Sequence, residues 1–143
     1  MQISKTHLDL EQVAALGALH AEVEGQRDLD AVMATLSDNP VYEYPVIGKK
    51  FSGRDNALRF YQYFFANFSP NVTGARMFHQ WVNATSVTQE YEIDCNFAGE
   101  QECHRILGVL LVEGDKLCGE RVYASAATIR RMIGPLYDDL IDL

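Results

Sequence analysis

From Val72 to about Ser125 the sequence carries strand patterning almost without a break, and this run limits what the rest of the chain can fold into. Ser86 to Asn96 alternates, with Val87, Tyr91, Ile93 and Cys95 on one face and Glu90, Glu92 and Asp94 on the other. Successive side chains of a strand point to opposite sides of a sheet, so one face is apolar and one is wet. VTGARMFHQWV before it reads as a strand kinked at Gly74, and Phe97-Ala98-Gly99-Glu100-Gln101 after it as a hairpin turn. His104 to Val112 is apolar on both faces, the pattern of a strand covered on both sides. Glu113-Gly114-Asp115 turns the chain, and Leu117 to Ala124 returns it. Matching the hairpin about its turn sets Cys95 opposite His104 and carries the inward phase through Ile106, Gly108 and Leu110. On the last strand the inward phase is Glu120, Val122 and Ala124.

The first part of the chain has a different rhythm. Thr6 to about Gly25 is predicted helical, opened by a capping-box pattern of Thr6 with Asp9 and stopped by Gly25. Val13, Leu16, Leu19 and Val23 recur near the helical period, and His20 falls within that inward stripe. Asp28 caps a second helix, Leu29 to Leu36. Ser37-Asp38-Asn39-Pro40 reads as a turn, and VYEYPVIG as a strand that Pro45 ends or confines to an edge. Gly48 to Gly53 reads as a loop. Arg54 to about Asn67 is a third helix, started by Ser52/Asp55, with an aromatic face of Phe60, Tyr61, Phe64 and Phe65; Ser69-Pro70-Asn71 breaks it. Ala126 to Ile133 is a short helix closed by Gly134-Pro135, and the tail PLYDDLIDL is acidic and amphipathic. Helices followed by a run of antiparallel strands is the α+β pattern. A long meandering sheet curls, and helices closing its concave side leave a pocket, a usual home for a small ligand.

A chain of 143 residues suits one domain spanning 1–143. Its 12 Lys+Arg against 20 Asp+Glu give a net charge of −8. Such a field repels nucleic-acid backbones and anionic lipid, so neither nucleic acid nor a membrane surface is expected as partner. No apolar run approaches the roughly 18 residues of a membrane span, and MQISKTHLDLEQ has no apolar segment like that of a signal peptide. A cytoplasmic location is expected. Cys95, Cys103 and Cys118 have no C-x-x-C spacing and read as free thiols, with a Cys95–Cys103 bridge across the hairpin as the alternative.

Three stretches together carry a resemblance. They are Gln26-Arg-Asp-Leu-Asp-Ala-Val with Ser37-Asp-Asn-Pro-Val-Tyr-Glu-Tyr-Pro; Gly53-Arg-Asp-Asn-Ala-Leu-Arg-Phe-Tyr; and Gly114-Asp-Lys-Leu-Cys-Gly-Glu-Arg-Val-Tyr running into Ala127-Thr-Ile-Arg-Arg-Met-Ile-Gly. In this order they resemble the nuclear-transport-factor-2-like superfamily, in particular its SnoaL-like small bacterial members. The resemblance implies a cone-shaped, strongly curved mixed or antiparallel sheet, with three helices from the N-terminal half closing a pocket. It also implies a homodimer through the outer sheet face. That superfamily's cavity hosts ketosteroid isomerase, limonene epoxide hydrolase, scytalone dehydratase and polyketide cyclases, and other members have no chemistry, so fold does not settle function.

Known catalytic positions do not transfer. Where ketosteroid isomerase has its general base, before the proline of the first strand, this chain has Tyr44. Its protonated Asp falls at Gly108 and its oxyanion tyrosine at His20; only the supporting tyrosine matches, at Tyr61. In limonene epoxide hydrolase an Asp follows the Arg of the last strand, and SnoaL-type cyclases are similar; here Val122 follows Arg121.

What remains is a polar set expected to face inward. His20 has an unperturbed pKa near 6.5, suited to proton transfer at neutral pH; the alternative is a core histidine bonded to a neighbour. Glu120, buried beside apolar strands, would have a raised pKa or a cationic partner, unless a bulge turns it to solvent. Tyr44 and Tyr61 are placed to polarise a substrate oxygen, or only to pack and tie up their hydroxyls. These four are the catalytic candidates. Tyr42, Phe60, Phe64, Gln89, Tyr91, His104, Gly108 and Val122 are the substrate-binding candidates, Gly108 by leaving room. His104 with Cys95 lacks the third ligand a zinc site needs, so neither a metal nor another cofactor is expected. The sequence thus points to a cofactor-independent acid/base enzyme of isomerase, cyclase, dehydratase or hydrolase type acting on a hydrophobic oxygenated small molecule. The alternative is a non-catalytic small-molecule binder or dimeric scaffold of the same fold.

Overall fold

In the computed structural model, which describes residues 7–143, four helices and a seven-stranded curved sheet follow one another much as the pattern predicts. Helix α1 spans Leu10–Gly25 and α2 Leu29–Ala34; strand β1 is Leu36–Tyr44, β2 is Lys49–Ser52, and α3 is Arg54–Tyr63. The meander follows as β3 (Val72–Asn83), β4 (Ser86–Phe97), β5 (Glu100–Glu113) and β6 (Lys116–Tyr123), then α4 (Ala126–Ile133) and β7 (Ile141–Asp142). In space the strand order is β3-β4-β5-β6-β1-β2-β7. Only the β1–β6 pair is parallel. The sheet curls without closing, leaving β3 and β7 as edges. No helix among the described residues is long and apolar enough to cross a bilayer.

Local chemistry explains several departures from expectation. The cap of α1 is Asp9, whose side chain accepts from the Gln12 backbone N–H while Gln12 reaches back to the Asp9 N–H; Thr6 lies outside the described residues. The inward stripe of α1 is Val13, Gly17, His20 and Val23, and Leu19 is exposed. Gly17 permits that packing, since a Cβ there would lie 3.0 Å from the Val87 side chain. The expected turn at Ser37–Pro40 is extended chain within β1, in a bulge against β6 between Leu36 and Val41. The bulge strands carbonyls that β6 cannot reach. The Arg54 guanidinium takes up those of Leu36 and Ser37 and also that of Met33, each at 3.1 Å, and the Gly53 N–H bonds to Pro40 at 2.9 Å. Buried carbonyls need such donors, so an arginine has replaced a turn. Residues 49–52, expected in a loop, pair with β1 and with β7. Pro45 ends β1 in a 3₁₀ turn, and β1 is an interior strand.

Helix α3 starts at Gly53 with no side-chain cap from Ser52 or Asp55. It runs into a π-helical segment, Phe64–Phe68, that lets Phe64 and Phe68 stack at 5.0 Å. The β4–β5 hairpin closes on a two-residue loop, Ala98-Gly99, both at positive φ, the backbone that matches strand twist. Cys95 therefore faces Glu102, and Ile93 faces His104. The expected pairing is off by two residues, which preserves parity, so His104, Ile106, Gly108 and Leu110 all face inward and are buried. Cys95 is buried on that face, whereas Cys103 is exposed and bonds to Glu92; all three cysteines are free. The tail packs on the domain, with Leu136 buried and β7 paired to β2.

Candidate functional site

The concave face of the sheet and the helices enclose a hollow of about 630 Å³, within the range of small-molecule sites. Tyr42, Tyr44, Phe60, Phe64, Phe68 and Tyr91 give its wall an aromatic lining. The exposed side chains Arg27, Arg76 and Met77 border its open side. Of the residues expected from sequence, His20, Glu120, Tyr44, Tyr42, Phe60, Phe64, Gln89, Tyr91 and Val122 line it.

His20 reaches the hollow from α1 and has both ring nitrogens engaged. Nδ1 lies 2.9 Å from the Thr35 hydroxyl oxygen, and that hydroxyl donates to the Val32 carbonyl at 2.6 Å. Its one proton is thereby committed, so Nδ1 is the donor to Thr35. Nε2 faces the Tyr61 hydroxyl at 3.2 Å and a Glu24 carboxylate oxygen at 3.3 Å. Tyr61 in turn meets the Tyr42 hydroxyl at 2.8 Å. The result is a hydrogen-bonded chain from Thr35 through His20 and Tyr61 to Tyr42 in the wall. Burial pulls the imidazole pKa down, but the hydrogen bond and charge of Glu24, joined by the charge of Glu120, outweigh it and leave the pKa raised.

Glu120 comes from β6, where the strand slips register between Leu117 and Gly119 and then resumes with Glu120 and Val122 inward. The bulge therefore lies before Glu120, and its inward phase stands. Its carboxyl has no hydrogen-bond partner among the described residues. Burial first, then repulsion from Glu24, push its pKa up to about 7, and the attraction of His20 offsets this only in part. Burial, aided by the charge of Glu120, also raises the Tyr42, Tyr44 and Tyr91 phenols well above their ordinary value, so they remain donors at any working pH. The Tyr44 and Tyr91 hydroxyls also lack partners among the described residues.

Three expected site residues lie elsewhere. Gly108 does not line the hollow; a Cβ there would stand 2.7 Å from Glu120 Oε1, so its missing side chain makes room for the carboxyl rather than for a ligand. His104 is also away from it. Glu102, held as a carboxylate at about 2 chiefly by its hydrogen bond to Arg131, accepts from His104 Nε2 at 2.8 Å. Nδ1 then accepts the Thr128 hydroxyl at 2.7 Å, which pins α4 to β5. Tyr61 is fully buried and does not line the hollow; its hydroxyl meets it through Tyr42 and His20, which do. Sequence reasoning missed Glu24, one helical turn from His20, a spacing that puts two side chains on one face. It also missed Phe68, which the π-helical segment turns inward.

A family model described as SnoaL-like domain matches residues 17–120. Among solved structures, an NTF2-like protein from Anabaena variabilis superposes with a TM-score of 0.66 at 19% identity, covering 88% of this chain and 94% of that one. A candidate ketosteroid isomerase from Kribbella flavida gives 0.64 at 20% identity, covering 82% and 80%. An LEH-like epoxide hydrolase from M. tuberculosis gives 0.65 at 16% identity, covering 86% and 87%. No curated protein sequence matches the chain. At these identities the structural likeness concerns the fold.

Proposed function

Since the chain belongs to the SnoaL-like domain family, whose NTF2-like fold also carries isomerases and epoxide hydrolases, we propose that its hollow performs cofactor-independent acid/base chemistry on a hydrophobic, oxygen-bearing small molecule. The reaction is an isomerisation, cyclisation, dehydration or hydration. One observation carries this reading. A carboxyl with a pKa near 7 and no hydrogen-bond partner among the described residues faces the same hollow as a histidine-tyrosine-tyrosine chain. Groups that titrate near the working pH transfer protons best.

The chain has two directions. With His20 neutral, Tyr42 donates to Tyr61 and Tyr61 donates to Nε2. With His20 protonated, Nε2–H donates outward, Tyr61 donates to Tyr42, and the Tyr42 proton is released to a ligand oxygen. Protonation at the back of the site thus makes Tyr42 a donor at the front. Glu120 is the second acid or base, Tyr44 polarises a substrate oxygen, and the aromatic wall excludes water, which strengthens each of these contacts. Mass spectrometry of whatever co-purifies identifies the compound class for an assay. In that assay His20→Ala is expected to lower turnover by about 100-fold or more, and undiminished turnover would defeat the reading. A non-catalytic binder is the second reading. It is favoured by the saturation of His20 between Thr35, Tyr61 and Glu24, and it expects binding without turnover and tolerance of His20→Gln.

We further propose that two copies join through the outer sheet face. That face carries Trp81, 53% exposed, and Tyr123, 39% exposed. Around them lie the cross-strand pairs Arg105–Glu90, Arg105–Glu92 and Arg76–Glu92, with Arg76 and Arg105 both packed on Phe78. Light scattering at micromolar protein should report twice the chain mass, and Trp81→Lys should halve it. A monomer in the parent protein rules the pairing out.

A further inference from the structure

Glu120 is the one lining carboxyl, half-buried and open to the hollow, to which the described residues supply no hydrogen-bond donor. The titratable groups that bear on it are Glu24 and His20 from α1, Tyr42 and Tyr44 from β1, Tyr61 from α3 and Tyr91 from β4. Of these, Glu24 repels its charge, and His20 is already shared between Thr35, Tyr61 and Glu24. Among the described residues no arginine or lysine bears on it; Arg27 and Arg76 stand at the open side, and Arg76 is paired outward with Glu92. Tyr42, Tyr44 and Tyr91 lie near this carboxyl, and Phe60 and Phe64 continue the aromatic lining of the same hollow. Ring faces attract cations, most strongly where water is excluded. A buried carboxylate is tolerated when a cation pairs with it and is expensive otherwise.

We propose that the molecule this hollow accepts carries a protonated nitrogen on its apolar body, held between the Glu120 carboxylate and the aromatic wall. The inference rests on reading the hollow as the small-molecule site and narrows the substrate class. It also assigns roles within that site. A cation beside Glu120 keeps the carboxyl ionised, so Glu120 can only take up a proton and acts as the base. The His20–Tyr61–Tyr42 chain is then left as the donor. A chain of net charge −8 favours the approach of such a molecule.

The probes are 2-phenylethylammonium and its neutral analogue 2-phenylethanol, titrated calorimetrically into the intact protein. At about pH 8 the ammonium should bind about ten-fold or more tighter than the alcohol. Glu120→Gln should abolish that preference, and in the parent protein it should shrink towards about pH 5 as Glu120 takes up its proton. Equal affinities, a preference that survives Glu120→Gln or the lower pH, or no binding of either probe would each overturn the proposal. The pH comparison needs no variant and so does not depend on one folding. A missing preference together with His20-dependent turnover leaves the acid/base reading intact. A clear preference with turnover untouched by His20→Ala leaves the cation site and removes the chemistry.

Discussion

Glu120→Gln is expected to raise the free energy of unfolding at about pH 8 by about 3 kcal/mol, and by less than about 1 kcal/mol at about pH 5. The sign follows from the direction of the shift. The carboxyl titrates near 4.5 in the unfolded chain and at about 7 when folded, so between those values the folded state binds the extra proton. The contribution of Glu120 is therefore most favourable at the acid end of that window and falls as pH rises through it, because burying the ionised form is expensive. His20 acts in the same sense. Its raised pKa contributes stability that is present below about 6.5 and lost as pH climbs through the folded value. Denaturant midpoints across the range should decline in the parent protein and decline far less in the variant. Parallel curves for the two would show that Glu120 is not the strained group. A gain in stability from removing a candidate catalytic group also fits a general trade, in which active sites hold charges the fold would rather not bury.

Gly119→Ala is expected to destabilise the protein by about 4 kcal/mol or more, enough to leave little soluble material. Gly119 sits at the register slip of β6 with φ +149°, and a Cβ there would lie 1.8 Å from the Val41 carbonyl oxygen and 2.8 Å from its carbon. Neither is the end of a flexible side chain. The β1–β6 seam would have to open, and that seam sets Tyr42 beside Glu120. Gly25→Ala is the control, since nothing lies within 4 Å of a Cβ at that position and alanine is the better helix former by about 1 kcal/mol. Thermal melts of the two variants separate the outcomes. A Gly119→Ala protein melting close to the parent would mean that the two strands are not so closely apposed.

Glu120 shows how far a pattern can be read and where it stops. Its inward phase follows from period-two alternation with Val122 and Ala124, and the bulge that threatened the reading falls just before it, at Cys118 and Gly119. Its lack of a partner, and the reason for Gly108, are not visible in the linear order; both depend on β5 lying against β6. His104 followed the same parity and still left the site, because Thr128 and Glu102 occupy both its nitrogens. Tyr61 lies on an aromatic helix face and matches the supporting tyrosine of the family resemblance, but Tyr42 and His20 stand between its hydroxyl and the hollow.

By itself the sequence determined the order of the helices and of the β3–β6 meander, the inward and outward faces of that meander, and the set of aromatic and acidic residues available to a pocket. Side-chain period and turn chemistry act over a few residues, and so can be read from a few residues. Only the tertiary structure decided that Ser37–Pro40 is extended, that Arg54 satisfies the carbonyls there, and that Glu24 joins His20 while Glu120 is left alone. Those outcomes depend on which distant groups meet in a space from which water is excluded. Hydrogen-bond satisfaction and the energy of a buried charge are properties of that space.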